Sequence, residues 1–182
     1  MRHAQVPIIG FAAYSGTGKT TLLTQLIPQL KQQGLRVGLI KHSHHSFDID
    51  HPGKDSFRLR EAGAATVMLV SSRRRAIMTE FAQATDPDLD EQLSALNQSQ
   101  LDIILVEGFK QAAFPKIELY RPVLNHPLLY PTDANIIAIA TDTPLLTPAH
   151  LPVLDINQPL EITRFILNLV CTADAYLTST PD

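Results

Sequence analysis

The chain has 182 residues, 45% of them hydrophobic and 18% charged, with a formal net charge of −3. That length predicts one domain with ample material for a core. There is no broad basic field to attract nucleic acid, no apolar run long enough to span a membrane, and a lone Cys171 without a partner for a disulfide or a zinc site.

Val6 to Ala12 reads as a buried strand. It runs into Ala13-Tyr14-Ser15-Gly16-Thr17-Gly18-Lys19-Thr20, the phosphate-cradling loop of nucleoside triphosphatases with Ala13 in place of the usual first glycine. A triphosphate needs many donors close to its oxygens. Gly16 and Gly18 let the backbone approach, and the N–H groups from Ser15 to Thr21 are expected to converge at a helix start, where the dipole also favours an anion. Lys19 is expected to neutralise the β and γ phosphates, Thr20 to offer its hydroxyl to Mg²⁺, and Thr21 to donate near the α-phosphate. Signal-peptide cleavage here would destroy the loop, so a cytoplasmic location is expected.

From Lys19 to about Gln33, Leu22, Leu23, Leu26, Ile27 and Leu30 fall on one helical face, with Pro28 as a kink and Gly34 as a stop. Leu35 to Ile40 is a second strand. The order strand, loop, helix, strand predicts a parallel sheet with right-handed crossovers. Next comes the polar stretch Lys41 to Asp55, which holds His42, His44, His45, Asp48 and Asp50 at the C-terminal end of a strand, where ligands bind in open α/β sheets. Asp55 is expected to cap a helix from Ser56 to Ala62. Ala65 to Val70 and Ala76 to Thr79 read as strands joined by an Arg-rich turn, a small β-rich insertion over about residues 65–80. Leu89 to Asn97 reads as helical.

Leu101 to Val106 is a second buried strand ending in Glu107-Gly108, the form expected of the motif whose acid holds Mg²⁺ directly or through water. Asp102 is a rival acid, but about 16 Å of strand separates it from Glu107. Gly108 is expected to bring a backbone N–H near the γ-phosphate. Lys116 to Tyr120 and Ile136 to Ala140 are further strands. Asp142 follows the latter, where a carboxylate matches the two donors on the edge of guanine. Pro159 to about Val170 is a closing helix, with Cys171 expected in the core. The predicted class is α/β: a P-loop NTPase-like, mostly parallel sheet flanked by helices, with the small β-rich insertion.

These blocks together resemble the molybdopterin-guanine dinucleotide biosynthesis protein B (MobB) family. The resemblance rests on the phosphate loop, on Leu39-Ile40-Lys41-His42-Ser43-His44-His45, on Pro52-Gly53-Lys54-Asp55-Ser56 with Arg60-Glu61-Ala62-Gly63-Ala64, and on Leu105-Val106-Glu107-Gly108-Phe109-Lys110. It implies a GTP- and Mg²⁺-binding adaptor, a homodimer, that helps a guanylyltransferase partner attach GMP to molybdopterin. Two other functions remain open: a nickel-insertion GTPase, favoured by the histidines but lacking Cys-bearing metal motifs, and an ATP-dependent small-molecule kinase, which would need an acceptor site.

Several roles stay open. His42, His44 and His45 line a nucleotide or pterin site, bind a transition metal together with Asp48 and Asp50, or form a plain polar loop. Asp48 or Asp50 supplies an outer Mg²⁺ ligand or positions the attacking water. Arg73 and Arg74 hold a molybdopterin phosphate or reach a partner, or form a solvated turn. Lys110 meets a phosphate or sits on the surface. No residue stands out as a base for hydrolysis, so slow GTPase activity is expected.

Overall fold

A computed structural model describes residues 1–43, 47–145 and 149–177. Residues 1–42 and 88–182 form one compact unit and residues 43–87 another.

The larger unit is built on a six-stranded sheet. In chain order its strands are β1 (Ile8–Ala12), β2 (Val37–Lys41), β5 (Ile103–Glu107), β6 (Lys116–Tyr120), β7 (Ile136–Thr141) and β8 (Val153–Asp155), and in space they run β2-β5-β1-β6-β7-β8, all parallel. β1 and β5 are buried along their whole length, as strands covered on both faces must be. Helix α1 (Lys19–Gln32) and helix α4 (Pro159–Leu177) cover one face. There Leu22, Leu26 and Leu30 of α1 and Ile162 and Ile166 of α4 pack on Ile9, Phe11, Ile103 and Leu105. Helix α3 (Leu89–Ala95) covers the other face with Leu89 and Leu93 against Ile104, Val106 and Phe114.

β1 lies between β5 and β6, and the chain leaves it towards β2 on one side and reaches β6 on the other. Such a switch in strand order opens a crevice at the carboxyl ends of the strands, the usual ligand site of doubly wound sheets. The phosphate loop follows β1 directly into it.

The smaller unit holds helix α2 (Asp55–Glu61) and the antiparallel hairpin β3 (Thr66–Val70) and β4 (Arg75–Thr79). Arg60 ties it together, donating to Asp48 Oδ2 at 2.6 Å and to Glu80 Oε1 at 2.8 Å.

Some details differ from the sequence reading. Asp55 is the first residue of α2 rather than its cap, a place held by Lys54, because the acid serves the first turn without a side-chain cap bond. The last helix continues past Val170 to Leu177, and Cys171 is exposed on it rather than buried in the core. Strand β8 has only three residues within a proline-rich stretch, too short for a periodic signal.

Candidate functional site

Lys19 opens α1, and Gly18 before it has φ +99°, a left-handed conformation that L side chains rarely adopt. Gly16 is left-handed too, at φ +79°. The Thr17 hydroxyl donates to Tyr14 O at 2.8 Å and pins the loop from inside. The Lys19 ammonium folds back over the loop, 3.4 Å from Ala13 O and 3.3 Å from Tyr14 O.

Glu107 ends β5 opposite Phe11 of β1 and Lys41 of β2. Its carboxylate is mostly buried, with Lys41 Nζ at 3.3 Å from Oε2. Ser15, Gly16, Lys19, Thr20, Thr21 and Glu107 share one cavity of about 330 Å³. Burial lowers the Lys19 pKa from its ordinary value; the Glu107 carboxylate opposes that shift, and the Lys110 and Lys41 ammoniums add to it. Lys19 on the cavity, with Lys41 and Lys110 within electrostatic reach of it, thus surrounds a single acid with positive charge, a field suited to a polyanion bound together with a divalent cation. Thr20 and Glu107 offer hard oxygen donors on this cavity, which suits Mg²⁺ completed by phosphate oxygens and water.

The chain beyond Glu107 is tightly constrained. Gly108 has φ +97°, and a Cβ there would lie 2.7 Å from His42 Cβ and 3.4 Å from His42 O. His42 N donates to Glu107 O at 2.8 Å, so the ends of β2 and β5 are closed by backbone as well as by packing. The His42 and Phe109 rings lie 4.9 Å apart. Phe109 itself is left-handed, at φ +51°.

Two buried charges on β6 brace the loops around this cavity. Lys116, 1% exposed, donates to Lys110 O at 2.8 Å, Ala112 O at 2.9 Å and Asp133 Oδ2 at 2.7 Å. Glu118 accepts from the N–H groups of Leu129 and Tyr130 at 2.7 and 2.9 Å. Burial raises the Glu118 pKa against the pull of those two bonds, and the nearby Asp133 carboxylate adds to the rise. The two braced loops meet at Tyr14. Lys110 Nζ sits 4.9 Å from its ring centroid, and the His126 ring stacks at 4.3 Å.

Beside the phosphate loop lies a second cavity of about 380 Å³, lined by Gly16, Thr17, Gly18, Thr21, Arg121 and Asn157 among others. Asp142 ion-pairs with Arg121, whose Nε donates to Thr17 O at 3.1 Å.

The structure therefore brings Ser15, Gly16, Gly18, Lys19, Thr20, Thr21 and Glu107 to one cavity; Thr17 lines the second cavity, and Gly108 follows Glu107 packed against His42. Asp102 is remote from it. Both its oxygens are held by Arg36, at 2.8 Å to Nη2 and 2.7 Å to the backbone N, and those bonds lower its pKa to about 2. Asp48 and Asp50 belong to the smaller unit. Asp48 is held by Arg60 and by Asp50 N, whereas buried Asp50 accepts from Ser56 Oγ and His51 N on Oδ1 and leaves Oδ2 without a partner. Arg73 and Arg74 lie in the exposed hairpin turn. His44 and His45 fall outside the described residues. Among the described residues no three His, Cys, Asp or Glu side chains gather to hold a metal ion, and no helix is long and apolar enough to cross a membrane.

Arg121, Asn157, Lys116, Glu118 and His126 were not singled out from the sequence. Arg121 is the first residue after β6, and an Arg directly after a buried strand is the signal that would have found it.

Residues 8–142 match the family described as molybdopterin guanine dinucleotide synthesis protein B, MobB. The chain belongs to the MobB family. The molybdopterin-guanine dinucleotide biosynthesis adapter protein of Escherichia coli K12 is 47% identical over 163 residues, 89% of this chain and 92% of that protein. Its Haemophilus influenzae counterpart is 44% identical over 164 residues, 90% and 89% of the two chains. A crystal structure of a MobB protein homolog from Bacillus stearothermophilus superposes with a TM-score of 0.65 at 25% identity, covering 91% of this chain and 98% of that one. The MobB match runs from β1 through Asp142 and so contains both nucleotide motifs; β8, Asn157 and α4 lie beyond it.

Proposed function

We propose that this MobB-family chain is a Mg²⁺-dependent, GTP-binding adaptor of molybdopterin guanine dinucleotide biosynthesis, with slow GTPase activity, that assists a cytoplasmic guanylyltransferase in attaching GMP to molybdopterin. The observation that carries the reading is the convergence of Lys19, Thr20 and Glu107 on one cavity of about 330 Å³ at the end of β1.

In this reading the N–H groups of the loop and the start of α1 bind the β and γ phosphates. Lys19 leaves Ala13 O and Tyr14 O to pair with them, and the anion restores the ammonium that burial disfavours. Thr20 and Glu107 hold Mg²⁺, which neutralises charge on the phosphates. Lys41, whose Nζ lies 3.3 Å from Glu107 Oε2, would add a cation beside the phosphates if Glu107 held the ion. Gly108 supplies an N–H to the γ-phosphate, and Asp142 accepts from guanine.

Asp48 or Asp50 orients the attacking water or holds an outer metal ligand. A weakly positioned water and no dedicated base make hydrolysis slow. Lys110, Arg73, Arg74, His42, His44 and His45 are proposed contacts for molybdopterin or the partner enzyme.

The proposed assembly is a homodimer. β3 and β4 are both edge strands, and one face of the hairpin exposes Met68 (53%), Val70 (70%) and Ile77 (54%). A lone two-stranded sheet with an apolar open face is marginal in water, and a second copy packed face to face on it would bury that face.

The test is reconstitution. Purified guanylyltransferase, molybdopterin and MgGTP are assayed for dinucleotide formation with wild-type protein and with Lys19→Ala. Stimulation by wild type that disappears in the folded variant supports the reading. No stimulation by wild type, or equal stimulation by both proteins, would overturn it.

A further inference from the structure

The C-terminal ends of three adjacent parallel strands place three polar side chains beside the phosphate loop. Arg121 follows β6, Asp142 follows β7, and Asn157 stands two residues after β8. Arg121 joins all of them. Its Nε donates to Thr17 O, its Nη1 to Asp142 Oδ2, and its Nη2 to Asn157 Oδ1 at 3.4 Å. A guanidinium has five N–H groups, so two remain for another partner. Arg121 and Asp142 are partly open to solvent, at 29% and 22% side-chain exposure. Arg121, which carries Asp142 on its Nη1, lines a cavity of about 380 Å³ that adds the apolar surfaces of Leu22 and Ile156, a combination of shape and lining suited to a flat heterocycle.

We infer that Arg121 is the specificity-determining residue of the nucleoside pocket, and that the Arg121–Asp142 pair reads guanine as a unit. This rests on the triphosphate-binding reading above. Guanine presents, side by side, the O6 acceptor, the N1–H donor and the N2 amine donor. A guanidinium beside a carboxylate presents the complement: an N–H for O6 and oxygens for N1–H and the amine. Adenine reverses the pattern, with its N6 amine facing the guanidinium and the N1 lone pair facing the carboxylate, so both contacts become repulsive. Arginine's preference for the O6 side of guanine in nucleic-acid recognition follows from the same donor geometry. The bond from Nε to Thr17 O fixes the guanidinium relative to the phosphate loop, so base and phosphates are held at a set spacing.

The experiment measures equilibrium binding of GTP, ITP, ATP and tripolyphosphate, each with Mg²⁺, to the full chain as wild type, Arg121→Gln and Arg121→Lys. ITP keeps O6 and N1–H and lacks only the amine. Arg121→Gln is expected to weaken GTP and ITP by the same factor, about 10- to 100-fold, to leave tripolyphosphate unchanged, and to leave ATP as tight or tighter because the clash with its N6 amine is relieved. Arg121→Lys keeps one donor and the charge but loses the fork, and is expected to fall between the two. If all four ligands weaken together, Arg121 is only a brace for the loop and the inference is overturned; an unchanged GTP-to-ATP ratio overturns it equally. If tripolyphosphate does not bind wild type, the phosphate-site reading itself has failed, and that control separates the two failures.

Discussion

Gly108→Ala puts the geometry behind Glu107 to a direct test. The new methyl group meets two penalties. The φ of +97° is unfavourable for an L side chain, at a cost of about 1–2 kcal/mol. The methyl carbon would also lie 2.7 Å from His42 Cβ, and neither atom can rotate away because both are fixed by backbone. Carbon atoms prefer a separation nearer 3.5–4.0 Å, and forcing the extra volume in costs about 1–3 kcal/mol. The sum is about 2–5 kcal/mol, or a Tm lower by about 4–20 °C for a chain of this size. Gly34→Ala is the control. Gly34 has φ +88° with nothing within 4 Å of an added Cβ, so only the dihedral penalty applies, about 2–8 °C. Thermal unfolding followed by circular dichroism compares the two, and GTP binding in Mg²⁺ follows the site. Gly108→Ala should melt lower than Gly34→Ala and bind GTP more weakly, because relieving the contact parts the ends of β2 and β5 around Glu107. Equal melting points with unchanged affinity would refute this account of the junction.

Lys116→Met removes a buried ammonium and strands the Asp133 carboxylate and the carbonyls of Lys110 and Ala112. Breaking a buried pair in this way costs about 3–5 kcal/mol; a chemical-denaturation midpoint close to wild type would contradict the bracing role. The pH dependence of triphosphate affinity should follow Lys19. The ligand favours the protonated amine, and burial lowers the pKa of the free site below 10.5, so affinity is full at neutral pH, falls on the alkaline side before that value, and binding there takes up protons. Calorimetry in buffers of different ionisation enthalpy measures the uptake, which should be absent in Lys19→Arg. Val70→Glu with Ile77→Lys should convert a dimer to a monomer in sedimentation equilibrium without lowering GTP affinity; a dimer that survives both changes would assign the interface elsewhere.

Much of the site was legible because its chemistry is local in sequence. Gly16, Gly18, Lys19 and Thr20 lie within five residues, and the strand and helix around them carry clear apolar patterns. Glu107 could be chosen over Asp102 from chain direction alone, since parallel strands present their C-terminal ends on one side; Asp102 indeed lies at the far end, clipped to Arg36. The residues that position the site were not legible. Lys116 and Glu118 sit in what reads as an ordinary alternating strand, yet both are buried, because each is neutralised or hydrogen-bonded by a loop distant in sequence. Arg121 and Asn157 acquire meaning only once β6, β7 and β8 are neighbours. The Tyr14–His126 stack joins residues brought together by two loops without regular periodicity.

The central claim is that the cavity at the end of β1 and β5 is a magnesium-triphosphate site selective for guanine. Equilibrium binding of GTP and ATP in Mg²⁺ and in excess chelator, to wild type and to Lys19→Ala, tests it most directly. The account predicts tight, magnesium-dependent GTP binding to wild type, weaker ATP binding, and loss of both in a Lys19→Ala protein that still melts cooperatively near the wild-type temperature. Undiminished GTP affinity in that folded variant would contradict the site, and an ATP affinity equal to or above that for GTP would contradict the adaptor reading built on it.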